Sequence, residues 1–131
     1  MFNLDEHISE QFDYLKEYGY GECARQKDHF SFVCENNSFE VYIDRYGFQI
    51  DSYFNRGEDS FEANWAIEFA ELDLQEYTAS YQYHDDEGLK RGISKVSRSI
   101  KCLMNKIDMS REESFDLVLD YVNNKEEKEI D

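Results

Sequence analysis

Residues 30–54, FSFVCENNSFEVYIDRYGFQIDSYF, constrain the fold more than any other stretch of the chain. Phe30, Phe32 and Cys34 alternate with Ser31, Val33 and Glu35; Phe39, Val41 and Ile43 alternate with Glu40, Tyr42 and Asp44; Phe48 and Ile50 alternate with Gln49 and Asp51. Successive side chains of a strand point to opposite faces, so each apolar set marks one side of a pleated sheet. Asn36-Asn37-Ser38 and Tyr46-Gly47 hold residue types that tolerate positive φ, and they predict the two turns of a three-stranded meander. The opposite face then carries Glu40, Tyr42, Asp44, Tyr46, Asp51 and Tyr53, an acidic, tyrosine-rich set without a catalytic pattern. Two arrangements stay open for that face. Helices cover it and its tyrosines form a second layer of core, or it is bare and available to a partner.

The flanking segments read as helices. Leu4, Ile8, Phe12 and Leu15 fall at helical spacing, predicting a helix over residues 3–18 capped by Asn3 or Asp5 and ended by a left-handed Gly19. Glu22 to Lys27 suits a weak, charged edge strand. Asn55-Arg56-Gly57-Glu58-Asp59 reads as a turn, after which Ser60 opens a short helix whose Phe61, Trp65, Ile67, Phe69 and Leu72 lie against the sheet. Residues 73–84 fit a helix continuation, an extended segment or a loop. Leu89, Ile93, Val96, Ile100, Leu103 and Ile107 recur every three or four residues, a helical stripe opened by His84-Asp85-Asp86-Glu87. Ser110 and Glu113 form a capping box for a last helix ending near Val122. The expected fold is α+β: a three- to four-stranded antiparallel sheet packed on one face by helices, in the order α-β(3-4)-α-α-α. Residues 1–122 form a single domain and 123–131 a frayed, charged tail.

Charge bounds the partners. The formal net charge is −16, yet residues 88–107 hold six bases (Lys90, Arg91, Lys95, Arg98, Lys101 and Lys106) and none of the 30 acids. Nucleic acid and anionic membrane carry the same sign as the bulk of the chain, which excludes them as direct partners and favours a cationic one. The basic helix itself is expected to pair with acidic neighbours or to be solvated. Cys23, Cys34 and Cys102 lack metal-ligand spacing, the first residues do not resemble a signal peptide, and no apolar run reaches the length of a bilayer span. A cytoplasmic protein with free thiols is expected, a Cys23–Cys34 disulfide being disfavoured in that compartment.

Residues with catalytic chemistry do not converge on a site. His7, His29 and His84 are scattered and read as structural. Consecutive side chains in His84-Asp85-Asp86-Glu87 do not converge on one ion, so no metal or other cofactor is expected. Asp44 and Asp51 on adjacent strands are read as an exposed like-charged pair rather than an acid–base couple. There is no phosphate loop, nucleophile elbow or Cys/His couple, and the chain is not expected to be an enzyme.

The order of a leading helix, Tyr18-Gly19-Tyr20, a Phe- and Tyr-rich meander, an aromatic helix around Trp65, then LKRGISKVSRSIKCLMNKI and SREESFDLVLDYV resembles the layout of small acidic bacterial immunity proteins of polymorphic toxin systems. That resemblance implies inhibition by occlusion, with no catalytic residues: a cytoplasmic protein that binds and neutralises a cognate toxin domain, a basic one on charge grounds. Glu40, Tyr42, Asp44, Tyr46, Asp51 and Tyr53 are the expected partner-binding residues. The alternative is a regulatory or adaptor domain binding a protein or peptide at the sheet edge.

Overall fold

A computed structural model describes residues 2–130, with side chains through residue 126. The chain is α+β. Helix α1 (Leu4–Gln11) leads through a 3-10 segment (Asp13–Tyr18) into strands β1 (Ala24–Gln26), β2 (His29–Cys34), β3 (Asn37–Asp44), β4 (Gln49–Arg56) and β5 (Asp59–Glu62). Then follow α2 (Ala63–Phe69), a two-residue strand β6 (Tyr81–Gln82), α3 (Asp86–Lys106) and α4 (Glu112–Ile130). The strands form an open antiparallel sheet in sequential order β1 to β5, with β6 paired to the other end of β4. Six strands therefore replace the expected three or four, and one of them interrupts the expected run of helices.

Register explains the core. Phe32 pairs with Phe39, Phe39 with Phe54, and Phe54 with Phe61, so one row of rings crosses β2 to β5. The ring centroids stand 6.3, 5.2 and 6.0 Å apart, and Phe115 of α4 extends the row at 5.0 Å from Phe61. Phe12, between α1 and the 3-10 segment, sits 5.5 Å from Phe39. Tilted ring pairs at this spacing add about 0.5–1.5 kcal/mol each beyond their buried area. Leu89, Ile93, Val96, Ile100 and Leu103 of α3 close the core above this face. Gly92 permits that approach, since a Cβ there would lie 2.4 Å from the Tyr81 ring and 2.7 Å from Ile50.

Local chemistry sets the boundaries. Asn3 Oδ1 accepts the Glu6 N–H, and Gly19 takes φ 95° at the end of the 3-10 segment, as expected of both. Within His84-Asp85-Asp86-Glu87 it is Asp85 that caps α3, accepting the Gly88 N–H at 2.7 Å. Several expectations are corrected. The first turn is the two-residue Glu35-Asn36, with Glu35 at φ 54°, while Asn37 is a buried strand residue that donates to the Ser110 carbonyl. In the second turn Phe48, not Gly47, takes positive φ (53°) and leaves the strand half exposed. Asn55 and Arg56 extend β4, and Gly57-Glu58 alone turn the chain into β5.

Helix α2 starts at Ala63, three residues later than Ser60 suggests, because Ser60-Phe61-Glu62 pair with β4. The shift changes its phase. Ala63, Ala66, Ile67 and Ala70 are buried against the core, whereas Trp65 and Phe69 are half-buried at its rim. The Ser110 hydroxyl donates to Asp108 at 2.5 Å instead of capping α4, so no capping box forms. Helix α4 continues past Val122 to Ile130: two asparagines are followed by Lys and Glu, which favour helix, and no Gly or Pro stops it.

Candidate functional site

The described residues cover the sheet on one face only. Opposite the phenylalanine row, β2 presents His29, Ser31 and Val33, β3 presents Ser38, Glu40 and Tyr42, β4 presents Gln49, Asp51, Tyr53 and Asn55, and β5 adds Ser60 and Glu62. Every one of these is exposed or half-exposed, Val33 and Tyr42 at 52% and 40%. Of the two arrangements left open by the sequence, the tyrosines are not a second layer of core.

Cross-strand pairing orders this surface. His29 lies opposite Tyr42 and stacks on it, ring centroids 4.2 Å apart and nearly parallel. Tyr42 meets Tyr53 edge-on at 5.4 Å. An aromatic row thus crosses three strands on the bare side of the sheet. Beside it, the half-buried Glu40 carboxylate is hydrogen-bonded to His29 Nε2, while the Ser31 and Ser38 hydroxyls each donate to it at 3.3 Å. Gln49 donates to Asp51 at 3.4 Å, and Glu62 pairs across the strands with Tyr53. Burial, with Glu40 for Tyr42 and with Asp51, Glu62 and Tyr42 for Tyr53, pushes both phenols above their ordinary value. They stay neutral donors at physiological pH.

The six residues predicted from sequence divide. Glu40, Tyr42, Asp51 and Tyr53 share the surface. Asp44 is committed to the β3–β4 turn, its Oδ1 accepting the N–H groups of Tyr46 and Gly47 at 3.0 and 2.9 Å. Tyr46 stands in that turn, 98% exposed and outside the aromatic row. His29, Ser31, Ser38, Asn55 and Glu62 were missed. Their signal lay in the same alternation, but their place depends on a two-residue turn that sets His29 opposite Tyr42, and on the undetected strand β5.

Elsewhere on the molecule, the outward side of α3 carries Lys90, Arg91, Lys95, Arg98, Lys101 and Lys106. Among the described residues none of the six forms an ion pair, so of the two expected arrangements, pairing with acidic neighbours and solvation, the structure favours solvation. The three cysteines are free and half-buried, and burial raises the Cys23 and Cys34 thiols above their ordinary value. Among the described residues there is no group of three or more metal-ligating side chains, and no helix is long and apolar enough to cross a membrane. No family model, curated protein or solved structure matches the chain.

Proposed function

We propose that the chain is a non-catalytic, cytoplasmic binding protein that neutralises a cognate basic toxin domain by occluding it, in the manner of an immunity protein. The observation that carries this reading is the bare sheet face, where the His29–Tyr42–Tyr53 row is flanked by Glu40, Asp51 and Glu62. Aromatic rings held by neighbours bury large area with little entropy to lose on binding. The formal charge of −16 attracts a basic partner over a distance and speeds encounter. Sheet-edge recognition of a peptide has less support. The strands at the margins have only three residues in β1, four in β5 and two in β6, leaving a short ladder to extend.

Affinity capture from the native host identifies the partner, and binding kinetics at several salt concentrations test the reading. A basic partner whose association slows as salt rises through the range where the screening length falls below about 10 Å supports it. A partner that is acidic, or one whose association rate ignores salt, overturns it.

A further inference from the structure

At the edge of the bare face lies a recess of about 370 Å³, lined by Glu62, Asn64, Trp65, Glu68, Leu74 and Tyr77. We propose that it is a pocket for the guanidinium of an arginine side chain on the basic partner. The proposal rests on the reading above and deepens it, because Glu62 belongs both to the recess and to the bare face beside Tyr53.

Helical geometry assembles the wall. Glu62, Trp65 and Glu68 fall three residues apart at and after the start of α2, so two carboxylates flank one indole on the same side. Tyr77 supplies a second ring from the facing loop. A planar guanidinium stacks on an aromatic face and forks toward carboxylates, whereas an anion meets two like charges and a neutral group leaves both carboxylates unanswered. Among the described residues neither Glu62 nor Glu68 takes part in an ion pair, so the negative charge is not cancelled from within. The adjoining ring already accepts a cation: Tyr121 stands edge-on to Trp65 at 6.4 Å and carries Lys125 Nζ over its own face at 5.5 Å.

The walls are fixed before any ligand arrives. Asn64 Oδ1 accepts the Ala79 N–H at 2.7 Å and its Nδ2 donates to Ser80 at 3.0 Å, joining α2 to the facing loop. Thr78, also at the recess, donates its N–H to Ser99 of α3 at 2.9 Å. The Tyr121 hydroxyl donates to one Glu68 oxygen at 2.7 Å and leaves the other free. A side chain entering this recess has little to reorganise, which is where affinity is gained.

Trp65 is the sole tryptophan, so its fluorescence reports on the recess without labelling. The test titrates the intact protein at physiological ionic strength with N-acetyl-arginine methylamide and, separately, with its neutral isostere N-acetyl-citrulline methylamide. A saturable fluorescence change is expected for arginine, with citrulline about tenfold weaker. The double variant Glu62→Gln, Glu68→Gln keeps the Tyr121 hydrogen bond and is expected to weaken arginine about tenfold, while Glu10→Gln, an exposed carboxylate of α1 outside both surfaces, changes it less than about twofold. Equal affinity for the two probes, no saturable change with arginine, or a Glu62→Gln, Glu68→Gln variant that binds as wild type overturns the pocket. Should that variant fail to fold, the two probes on the wild-type protein decide alone. A protein that captures a basic partner with salt-sensitive kinetics yet does not distinguish arginine from citrulline loses the pocket and keeps the bare-face reading; one that distinguishes them but captures only an acidic partner loses that reading instead.

Discussion

The bare sheet face and the outer side of α3 are both charged and both open to solvent, but they are built differently. On the sheet, strand pairing brings side chains from neighbouring strands into register, and Glu40 ends with His29, Ser31 and Ser38 around it. On α3, six bases of one sign share a helix side without an ion pair among the described residues, and Lys101 Nζ sits 5.6 Å above the Tyr14 ring. Like charges at helical spacing repel and spread into water. The difference teaches that charge alone does not make a recognition surface. The sheet presents side chains already ordered, while the helix presents long, mobile ones that lose more entropy on being held.

Helix α3 offers the sharpest contrast, since its two sides differ in kind. Ile100 is fully buried between the sheet and the flanking helices. Ile100→Asp puts an unpaired carboxylate there at a cost of several kcal/mol, comparable with the roughly 5–15 kcal/mol that holds a domain together. The expected result is loss of the cooperative thermal transition; a melt close to wild type would mean that α3 does not cover the core.

Next in size is the aromatic row. Tyr42→Ala and Tyr53→Ala each remove a ring at the centre of the bare face, and each is expected to raise the partner's dissociation rate about tenfold with little change in association. Indifference to both would move the contact elsewhere. A smaller effect is expected of Asp51→Lys, which acts at long range: association slows about three- to tenfold at low salt, and the difference fades as salt rises. Asp51 is a better choice than Asp44, whose carboxylate also holds the β3–β4 turn.

The smallest effect is expected where charge is largest. Lys95→Glu, Arg98→Glu and Lys101→Glu together remove two units each and take the formal charge from −16 to −22. Among the described residues their side chains have no ion pairs to lose, so the melting temperature should stay within about 3 °C, and association with a basic partner should be unchanged or about twofold faster. Slower association in this variant would reverse the comparison and assign the partner to α3.

Much of the architecture was legible because it rests on periodicity. The alternation in residues 30–44, the three- and four-residue spacing from Leu89 to Leu103, and the Gly19 and Asp85 caps are local properties of the chain. The misses depend on partners far away in sequence. Strand β5 has one buried residue in four and β6 has only two residues, so neither carries an alternation of its own; both exist because β4 offers them a ladder. Strand β5 in turn delayed α2 and moved Trp65 from the core to the rim. Ser110 had the right spacing for a capping box, but Asp108, two residues away, took its hydroxyl. Of the candidate site, Glu40, Tyr42, Asp51 and Tyr53 followed from alternation. That His29 stacks on Tyr42, and that Glu62 joins the bare face to the Trp65 recess, followed only from register.

The His29–Tyr42 stack also gives the face a voice of its own. A ring held parallel at 4.2 Å lies in the shielding cone of its neighbour's π-electron current, so the imidazole protons of His29 are expected upfield of those of a solvent-exposed histidine such as His84 at the same protonation state. Only three histidines share that region of a proton spectrum. The position of one resonance therefore records whether the row is intact, and its movement on adding a partner separates binding on the sheet from binding anywhere else on the molecule.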